Sequence, residues 1–231
     1  MKEFGSVSFV FPMYNEAPNI KYTLRKASVV ARDICGEYEI IVVDDASTDG
    51  CGKIVEGIAG QDPHIKFIRL KRNTKFGGAL KEGLTAASKD VIIYTDSDFP
   101  VKGQDIKGAL ELLEDSDIVT AYSLVIKDAS IKRIVMSKVY NFLVRLLFGL
   151  SLHDINSGFK IYKKKVFEGM DLKSESPFID AEIFIEALKR KLAISQYGLI
   201  FDLRTEGKST ISRPGIVAKT FWDMLKYKFS K

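Results

Sequence analysis

The stretch that most constrains this chain is residues 91–95, a short run of β-favouring residues that leads directly into two carboxylates, Asp96 and Asp98. A short run rich in Val and Ile is typical of a central parallel strand covered on both faces. Two carboxylates spaced two residues apart lie on one side of an extended chain, so they can converge on Mg²⁺ or Mn²⁺, which prefer oxygen ligands. We therefore predict a metal site here. Taken alone, the pair would favour a solvated acidic turn, because acidic pairs are common in loops.

The residues around this stretch repeat one pattern, in which an apolar strand is followed by a polar loop and then by a helix. Alternating strands and helices imply an α/β fold with a mostly parallel, doubly wound sheet and helices on both faces. Gly77 and Gly78 predict a tight loop before the third helix. The strands are predicted over residues 7–11, 38–43, 65–70 and 91–95, and the helices over 18–34, 54–58 and 79–87.

The loops that follow parallel strands share one edge of a sheet, so their polar residues should lie near Asp96. An acid there can accept hydrogen bonds from a base or a ribose, and Tyr14 can pack on a ring. Helix capping is the alternative for the acids, although it does not explain two consecutive acids at a strand end. The residues concerned are Pro12, Tyr14 and Glu16 after the first strand, and Asp44, Asp45 and Asp49 after the second.

The composition fits one globular domain over residues 1–231, because 46% of the residues are hydrophobic and 28% are charged. No stretch reaches the roughly 18 uncharged apolar residues of a membrane span, and the N-terminus carries no signal-peptide core. We therefore expect a cytoplasmic location. Two cysteines and two histidines without a recognisable spacing argue against thiol chemistry and against a zinc site.

The positive charge of the chain lies in its tail. The net charge is +5, and residues 203–231 hold seven Lys or Arg against two acids. A basic tail suggests an anionic partner, which could be nucleic acid, anionic lipid or a phosphorylated substrate, and a merely solvated end is the alternative.

An ordered set of motifs resembles the family 2 glycosyltransferases with the GT-A fold, and most of all the dolichol or polyprenyl phosphate mannose or glucose synthases. The motifs in the first half are Pro12-x-Tyr14-Asn15-Glu16, Val43-Asp44-Asp45-x-Ser47-x-Asp49-Gly50, the glycine pair at 77–78 and Asp96-x-Asp98. Further matches are Arg133-x-x-x-Ser137, Asp154-x-x-Ser157-Gly158-Phe159 and Arg204-x-x-Gly207-x-Ser209.

The resemblance implies a role for each matching residue. Residues 1–120 would form the nucleotide-sugar and metal-binding half, 121–210 the acceptor-binding half and 211–231 a basic amphipathic tail. Asp98, Arg133 and Arg204 would act directly in catalysis. By the same resemblance, Pro12, Tyr14, Glu16, Val43 and Asp45 would hold the nucleotide, Asp96, Ser97 and Asp98 the metal and diphosphate, and Arg133, Ser137 and Arg204 the phosphates of donor and acceptor.

The reaction implied is transfer of mannose or glucose, with inversion, from a nucleoside diphosphate sugar such as GDP-mannose or UDP-glucose to a polyprenyl phosphate. A phosphate acceptor is already anionic at neutral pH, so it needs no strong general base. A glycan or other hydroxyl acceptor is the alternative. It would need a carboxylate base, for which Asp180 and Glu182 are candidates, although an acid at a helix N-terminus has a simpler explanation.

Two segments of the second half have the pattern of helices that lie on a membrane. Residues 131–150 are apolar over most of a helix, with a narrow polar stripe at Lys138, Asn141 and Arg145. Residues 216–229 place Lys219 and Lys226 opposite aromatic and aliphatic residues. Such helices suit a membrane interface, which predicts a peripheral enzyme on the cytoplasmic face. A core helix with a solvated stripe is the alternative for the first segment.

Two functions of other classes compete with the transferase. A non-catalytic, metal-dependent domain of the receiver type also places acids at parallel strand ends, but the chain is long for it and lacks a late strand-end Lys. Nucleic-acid binding through the tail has no recognisable motif and conflicts with the acids of the first half, so we expect no nucleic-acid partner.

Overall fold

The computed structural model of the chain describes residues 5–125, 131–202 and 214–230, without the side chains of 131–133. The described residues contain one seven-stranded sheet and helices on both of its faces. The strands are β1 (Ser6–Met13), β2 (Glu37–Asp44), β3 (Ile65–Arg69), β4 (Val91–Thr95), β5 (Ile118–Ser123), β6 (Phe159–Lys163) and β7 (Ile194–Leu199). The helices are α1 (Ile20–Ile34), α2 (Cys51–Ala59), α3 (Lys75–Ala86), α4 (Gly103–Glu111), α5 (Ile131–Phe148), α6 (Phe178–Lys189) and α7 (Pro214–Phe229).

The strand order is β3-β2-β1-β4-β6-β5-β7. Neighbouring strands are parallel except that β6 runs antiparallel to both β4 and β5. The prediction of a mostly parallel α/β sheet is therefore confirmed. The reversed direction of β6 places its first residue, Phe159, opposite Thr95 at the end of β4. The residues just before β6 consequently reach the same edge as the loops after β1, β2 and β4.

The central strands are buried almost continuously, because helices cover both faces of the sheet. Phe9 and Phe11 of β1 pack with α1, α2 and α4, whereas Val10 packs on the other face with α3 and α6. Strands buried on both faces have continuous apolar sequences, which is why these runs could be located in the sequence. The two apolar layers hold the strand ends rigidly, so the loops after them start from fixed positions.

Two predicted boundaries differ from the structure. β1 continues through Pro12 to Met13. The pairing of β1 with β4 ends at Val10, so Pro12 has a neighbouring strand only on the β2 side, where a residue without an N–H group is tolerated. Gly77 and Gly78 do not form a loop but lie in the first turn of α3. A Cβ on Gly77 would lie 2.6 Å from the backbone carbon of Glu175, so the glycine permits close packing of α3 against that segment.

The helices α5 and α7 each have one buried and one exposed apolar face. Val144 of α5 and Met224 of α7 lie in the core, and the rings of Phe148 and Tyr227 pack at 5.8 Å between centroids. The large apolar side chains on the outer faces are exposed. Those residues are Val135, Val139, Phe142 and Leu146 of α5, and Val217, Phe221, Trp222 and Phe229 of α7. Within the described ranges, no helix is long and apolar enough to cross a bilayer.

Candidate active site

A cavity of about 1030 Å³ opens at the carboxyl edge of the sheet. It is bordered by the loops after β1, β2 and β4, by the segment before β6, and by parts of α5 and α7. The predicted site residues that line it are Pro12, Tyr14, Glu16, Asp45, Asp96, Ser97, Asp98 and Ser137.

Three predicted site residues are placed differently or cannot be placed. The side chain of Val43 is fully buried in the core under α3 and does not line the cavity. Arg204 lies outside the described residues, and so do Gly207 and Ser209 of its motif. The backbone of Arg133 belongs to α5, but its side chain is not among those described.

The three acids after β2 have separate tasks. Asp44 is buried and accepts a hydrogen bond from the Ser47 N–H at 2.9 Å, which closes the turn. Asp49 accepts bonds from the backbone N–H groups of Cys51 at 3.0 Å and Ala17 at 2.8 Å, and so ties the start of α2 to the first loop. Asp49 therefore acts at the start of α2, as the capping alternative predicts, whereas Asp44 closes a turn ahead of that helix. Asp45 is the acid of this group that lines the cavity.

The Asp45 carboxylate is held by the segment that precedes α3. Its Oδ1 accepts a hydrogen bond from the Thr74 N–H at 2.5 Å and one from the Thr74 hydroxyl at 3.0 Å. Burial raises the pKa of Asp45, although both Thr74 bonds act in the opposite direction. The carboxylate is thereby fixed at the cavity wall, where it can accept hydrogen bonds from a ligand.

The first two loops are joined through Asn15. Its N–H donates to the Ser47 hydroxyl at 3.0 Å, and its Oδ1 accepts from the Thr48 N–H at 2.9 Å. Asn15 has a φ of 56°, a left-handed conformation that Asn adopts more readily than most residues. The joined loops hold Tyr14 partly exposed beside the cavity, where its ring can meet a ligand.

Asp96 and Asp98 lie on a turn after β4, and not on an extended chain as we predicted. β4 ends at Thr95, and the Phe99 N–H donates to the Asp96 carbonyl at 2.9 Å. The alternation of an extended strand therefore does not orient the two carboxylates. The turn is fixed by Ser97, whose hydroxyl donates to the Pro12 carbonyl at 2.5 Å.

The Asp96 carboxylate has a defined orientation. Its Oδ1 accepts a hydrogen bond from the Tyr94 hydroxyl at 2.7 Å, and its N–H donates to the Gly158 carbonyl at 3.1 Å. A Cβ on Gly158 would lie 2.4 Å from Asp96 Oδ2, so only glycine leaves room for the carboxylate. Burial and the neighbouring charge of Asp98 raise the pKa of Asp96 to about 6.

These features fit a divalent cation. Two carboxylates that repel one another in a partly buried site are relieved when a cation neutralises them. Among the described residues, no group of three or more His, Cys, Asp or Glu is arranged to hold a metal. Mg²⁺ commonly takes one or two carboxylates and completes its shell with substrate phosphates and water. The donor set therefore suits a metal that binds together with a diphosphate.

The side of the cavity formed by the second half of the chain contains polar residues that the sequence motifs did not identify as site residues. His153 stacks on Tyr122 at 4.5 Å between ring centroids, and its N–H donates to Gln196 Oε1 at 2.7 Å. Asn141 and Asn156 line this region, and among the residues that the structure describes their buried Oδ1 atoms have no hydrogen-bond partner. Asn156 lies inside the Asp154–Gly158 motif and could have been found there, whereas Tyr122 and Gln196 have no sequence signal.

The two acids considered as general bases are structural. Asp180 is buried and forms an ion pair with the buried Lys160 at 3.1 Å. Burial raises the pKa of Asp180 to about 6, although the Lys160 charge opposes the shift. Glu182 accepts hydrogen bonds from the N–H groups of Lys173 and Ser174 at 2.9 and 2.8 Å. Neither acid lines the cavity, so the prediction that they could act as bases was wrong.

Comparison with known proteins decides the family. The family model described as Glycosyl transferase family 2 matches residues 8–170, which is more than half of the chain. The chain belongs to glycosyl transferase family 2. This membership excludes the receiver-like alternative.

Curated relatives of this family 2 glycosyltransferase include a glycosyltransferase and a sugar transferase whose name contains undecaprenyl phosphate. Glycosyltransferase AglD of Haloferax volcanii is 26% identical over 232 residues, which cover 94% of this chain and 37% of AglD. The undecaprenyl-phosphate 4-deoxy-4-formamido-L-arabinose transferase of Shewanella sediminis is 28% identical over 218 residues, or 86% of this chain and 66% of that protein. The chain thus spans only about a third of the first relative and two thirds of the second.

Solved structures show that this family 2 glycosyltransferase has the GT-A fold. The glucosyl-3-phosphoglycerate synthase of Mycobacterium tuberculosis, in complex with Mn²⁺, UDP and phosphoglyceric acid, aligns with a TM-score of 0.71 at 18% identity over 96% of this chain and 78% of that chain. The mannosyltransferase PcManGT of Pyrobaculum calidifontis, in complex with GDP-Man and Mn²⁺, aligns with a TM-score of 0.67 at 18% identity over 95% of this chain and 64% of that chain. The fold prediction is therefore confirmed.

Proposed function

We propose that this glycosyltransferase moves a hexose, mannose or glucose, from a nucleoside diphosphate sugar to a polyprenyl phosphate. The observation that carries the proposal is the composition of the cavity wall. One side contains Asp45, Asp96 and Asp98, and the other side is formed by α5 and α7, which present exposed apolar faces outside the cavity. A donor with a diphosphate and an acceptor with a lipid chain would enter from these two sides. The undecaprenyl-phosphate transferase among the relatives supports an acceptor of this class.

The donor would bind over the ends of β1 and β2. Tyr14 would pack on the base, and Asp45, held by Thr74, would accept hydrogen bonds from the base or the ribose. The ring of Tyr14 is partly exposed, as stacking on a ligand requires. GDP and UDP are both compatible with these groups, and the neighbours of known structure are found with either nucleotide.

Transfer would occur by attack of an acceptor phosphate oxygen on the anomeric carbon, with loss of the nucleoside diphosphate from the opposite side. Mg²⁺ or Mn²⁺ held by Asp96 and Asp98 would supply charge stabilisation for the departing diphosphate. Lys138 and Lys219 line the acceptor side of the cavity and would attract the acceptor phosphate. Ser137 would contribute a hydroxyl, and Arg133 and Arg204 remain proposed phosphate ligands.

A phosphate acceptor needs no carboxylate base, which agrees with the structural roles of Asp180 and Glu182. A hydroxyl acceptor is the second candidate, because Asp154 lines the acceptor side of the cavity and has the chemistry of a base. The two candidates differ in their pH profiles, since only the hydroxyl acceptor requires an ionised base for attack.

The exposed faces of α5 and α7 would rest on an anionic lipid surface, which makes the protein a peripheral enzyme on the cytoplasmic face of a membrane. The face defined by Val139, Phe142 and Leu146 on α5 and by Phe221 and Trp222 on α7 is apolar. Exposed cations accompany it, namely Lys138, Arg145, Lys226 and Lys228. Apolar contact combined with basic charge is the pattern of helices that bind in a membrane interface.

A transfer assay tests the proposal. The protein is incubated with GDP-mannose, UDP-glucose and other nucleotide sugars, with Mg²⁺ or Mn²⁺, and with a polyprenyl phosphate in anionic vesicles. We expect a lipid-linked sugar with one of these donors and none after chelation of the metal. Transfer to a free sugar hydroxyl at an equal or greater rate would instead establish the second candidate.

A further inference from the structure

Lys160 is a buried charged residue that the proposed mechanism does not use. It lies on β6 directly opposite Tyr94 of β4, and its side chain has no exposed surface. Its ammonium forms an ion pair with Asp180 at 3.1 Å and donates a hydrogen bond to the Ser157 carbonyl at 2.6 Å. A buried ion pair loses much of its attraction to desolvation and is weak evidence for stability. The pair therefore calls for another explanation.

The first connection from Lys160 to the metal site passes through a side chain. The ammonium lies 5.1 Å from the centroid of the Tyr94 ring, within the range of a cation–π contact. The Tyr94 hydroxyl donates to Asp96 Oδ1 at 2.7 Å. The ammonium therefore contacts the ring whose hydroxyl orients the Asp96 carboxylate.

The second connection passes through the backbone. The Ser157 carbonyl that accepts from Lys160 precedes Gly158, whose carbonyl accepts from the Asp96 N–H at 3.1 Å. Gly158 also lies so close to Asp96 that a Cβ would clash with Oδ2. The same ammonium thus holds the segment against which the carboxylate packs.

We propose that Lys160 and Asp180 are a positioning pair that fixes the Asp96 carboxylate for a divalent cation. The inference rests on the proposed metal-dependent function. Neither residue lines the cavity, so the pair would act only through Tyr94 and the Ser157–Gly158 segment. Groups that orient a metal ligand from behind commonly change metal affinity when they are altered. The pair carries no net charge, and of its two charges Lys160 acts more strongly on Asp96. Loss of that positive charge would favour a cation, so a loss of affinity reports on geometry.

The test measures Mn²⁺ binding to the full chain, with the electron paramagnetic resonance signal of the free ion as the readout. The variant Lys160→Met with Asp180→Leu removes both charges at similar volume, an exchange that is often neutral or stabilising in other proteins. We expect Mn²⁺ affinity to fall about 10- to 100-fold while the melting temperature stays the same or rises. Lys165→Met is the control, because Lys165 lies away from the cavity, where its ammonium forms an ion pair with Asp117 at 2.8 Å. This variant should leave Mn²⁺ binding unchanged.

A second variant tests the connection itself. Tyr94→Phe removes only the hydroxyl that reaches Asp96 Oδ1, and it should also weaken Mn²⁺ binding. If the pair acts through Tyr94, combining the changes should cost less affinity than the sum of the separate losses, because residues in one network are not additive.

The outcomes separate this inference from the proposed function. Wild-type protein that binds Mn²⁺ together with a double variant that binds it within about twofold would overturn the positioning role and leave the metal site standing. Wild-type protein that binds no Mn²⁺ would overturn both. Should the double variant not fold, wild-type Mn²⁺ affinity in both Tyr94→Phe and Gly158→Ala, which alter the side-chain and the backbone connection in turn, would contradict the proposal.

Discussion

At the scale of single residues, the proposed metal site depends on the absence of a side chain at 158. Gly158 allows the Asp96 carboxylate to lie against the start of β6, and its carbonyl holds the Asp96 N–H. Asp98 contributes the second carboxylate, and its charge raises the pKa of Asp96. A small group at 158 and a negative charge at 98 are therefore separate requirements of the same site.

Gly158→Ala should displace Asp96, because the new Cβ would lie 2.4 Å from Oδ2. We expect Mn²⁺ affinity and transfer to fall about 10- to 100-fold, as when the support of a metal ligand is altered. Gly57→Ala in α2 is the control, since a Cβ there meets nothing within 4 Å. Replacing a helical Gly by Ala raises the free energy of unfolding by up to about 1 kcal/mol. Unchanged Mn²⁺ binding in Gly158→Ala would contradict the assigned geometry.

Asp98→Ala should abolish transfer with little loss of stability. The substitution removes a proposed metal ligand, and it also removes the repulsion that Asp98 exerts on Asp96 in the metal-free protein. The melting temperature without metal should therefore be unchanged or slightly higher, while Mn²⁺ should no longer raise it. Transfer at half the wild-type rate with saturating Mn²⁺ would remove Asp98 from the site.

At the scale of elements, the sequence located most strands and helices but not how they meet. Continuous apolar runs identified β1 to β4, because strands covered on both faces must be apolar throughout. The role of Gly77 was not predictable from local pattern, since it depends on contact with the distant residue Glu175. For the same reason Asp180 was read as a candidate base, and only the packing of α6 on β6 pairs it with Lys160.

The helices α5 and α7 combine the two interpretations that the sequence left open. An apolar helix can be a core element or a membrane-surface element. Each of these helices has one buried face and one exposed apolar face. Phe221 and Trp222 are exposed, whereas Thr220 and Met224 are buried. Deletion of the whole tail would therefore remove core contacts as well as the exposed face, so point substitutions give the cleaner test.

Phe142→Ser combined with Trp222→Ser should release the protein from anionic vesicles and slow transfer to a long-chain polyprenyl phosphate. Both side chains are exposed, at 63% and 66%, so the melting temperature should hardly change. Tyr22→Ser on α1 is the matched control, because Tyr22 is equally exposed at 64% but lies away from the cavity. Met224→Ala should instead lower stability by about 2–5 kcal/mol through loss of core packing. Equal vesicle binding by the double variant and wild type would end the membrane proposal.

At the scale of the whole molecule, the buried carboxyl groups couple stability to pH and to metal. The pKa values of Asp96 and Asp180 are both raised to about 6, mainly by burial. The charged groups around Asp96 are Asp98 and Asp180, which raise its pKa, and Lys160, which lowers it, while the Tyr94 hydroxyl bonds to it. Each carboxyl therefore holds its proton more tightly in the folded chain than in the unfolded chain.

The free energy of unfolding of the metal-free protein should consequently fall as pH rises from about 4 to 6, and level off above both pKa values. Acids whose pKa is lowered, such as Glu39 and Asp117, act in the opposite direction, but only below their ordinary pKa near 4. Mn²⁺ competes with protons for Asp96, so it should raise the melting temperature more at pH 7 than at pH 5. Melting curves from about pH 4 to 7.5, with and without Mn²⁺, measure both effects. Asp96→Asn should reduce the pH dependence and remove the response to Mn²⁺, and a wild-type melting temperature that rises from pH 5 to 7 without metal would contradict the assignment.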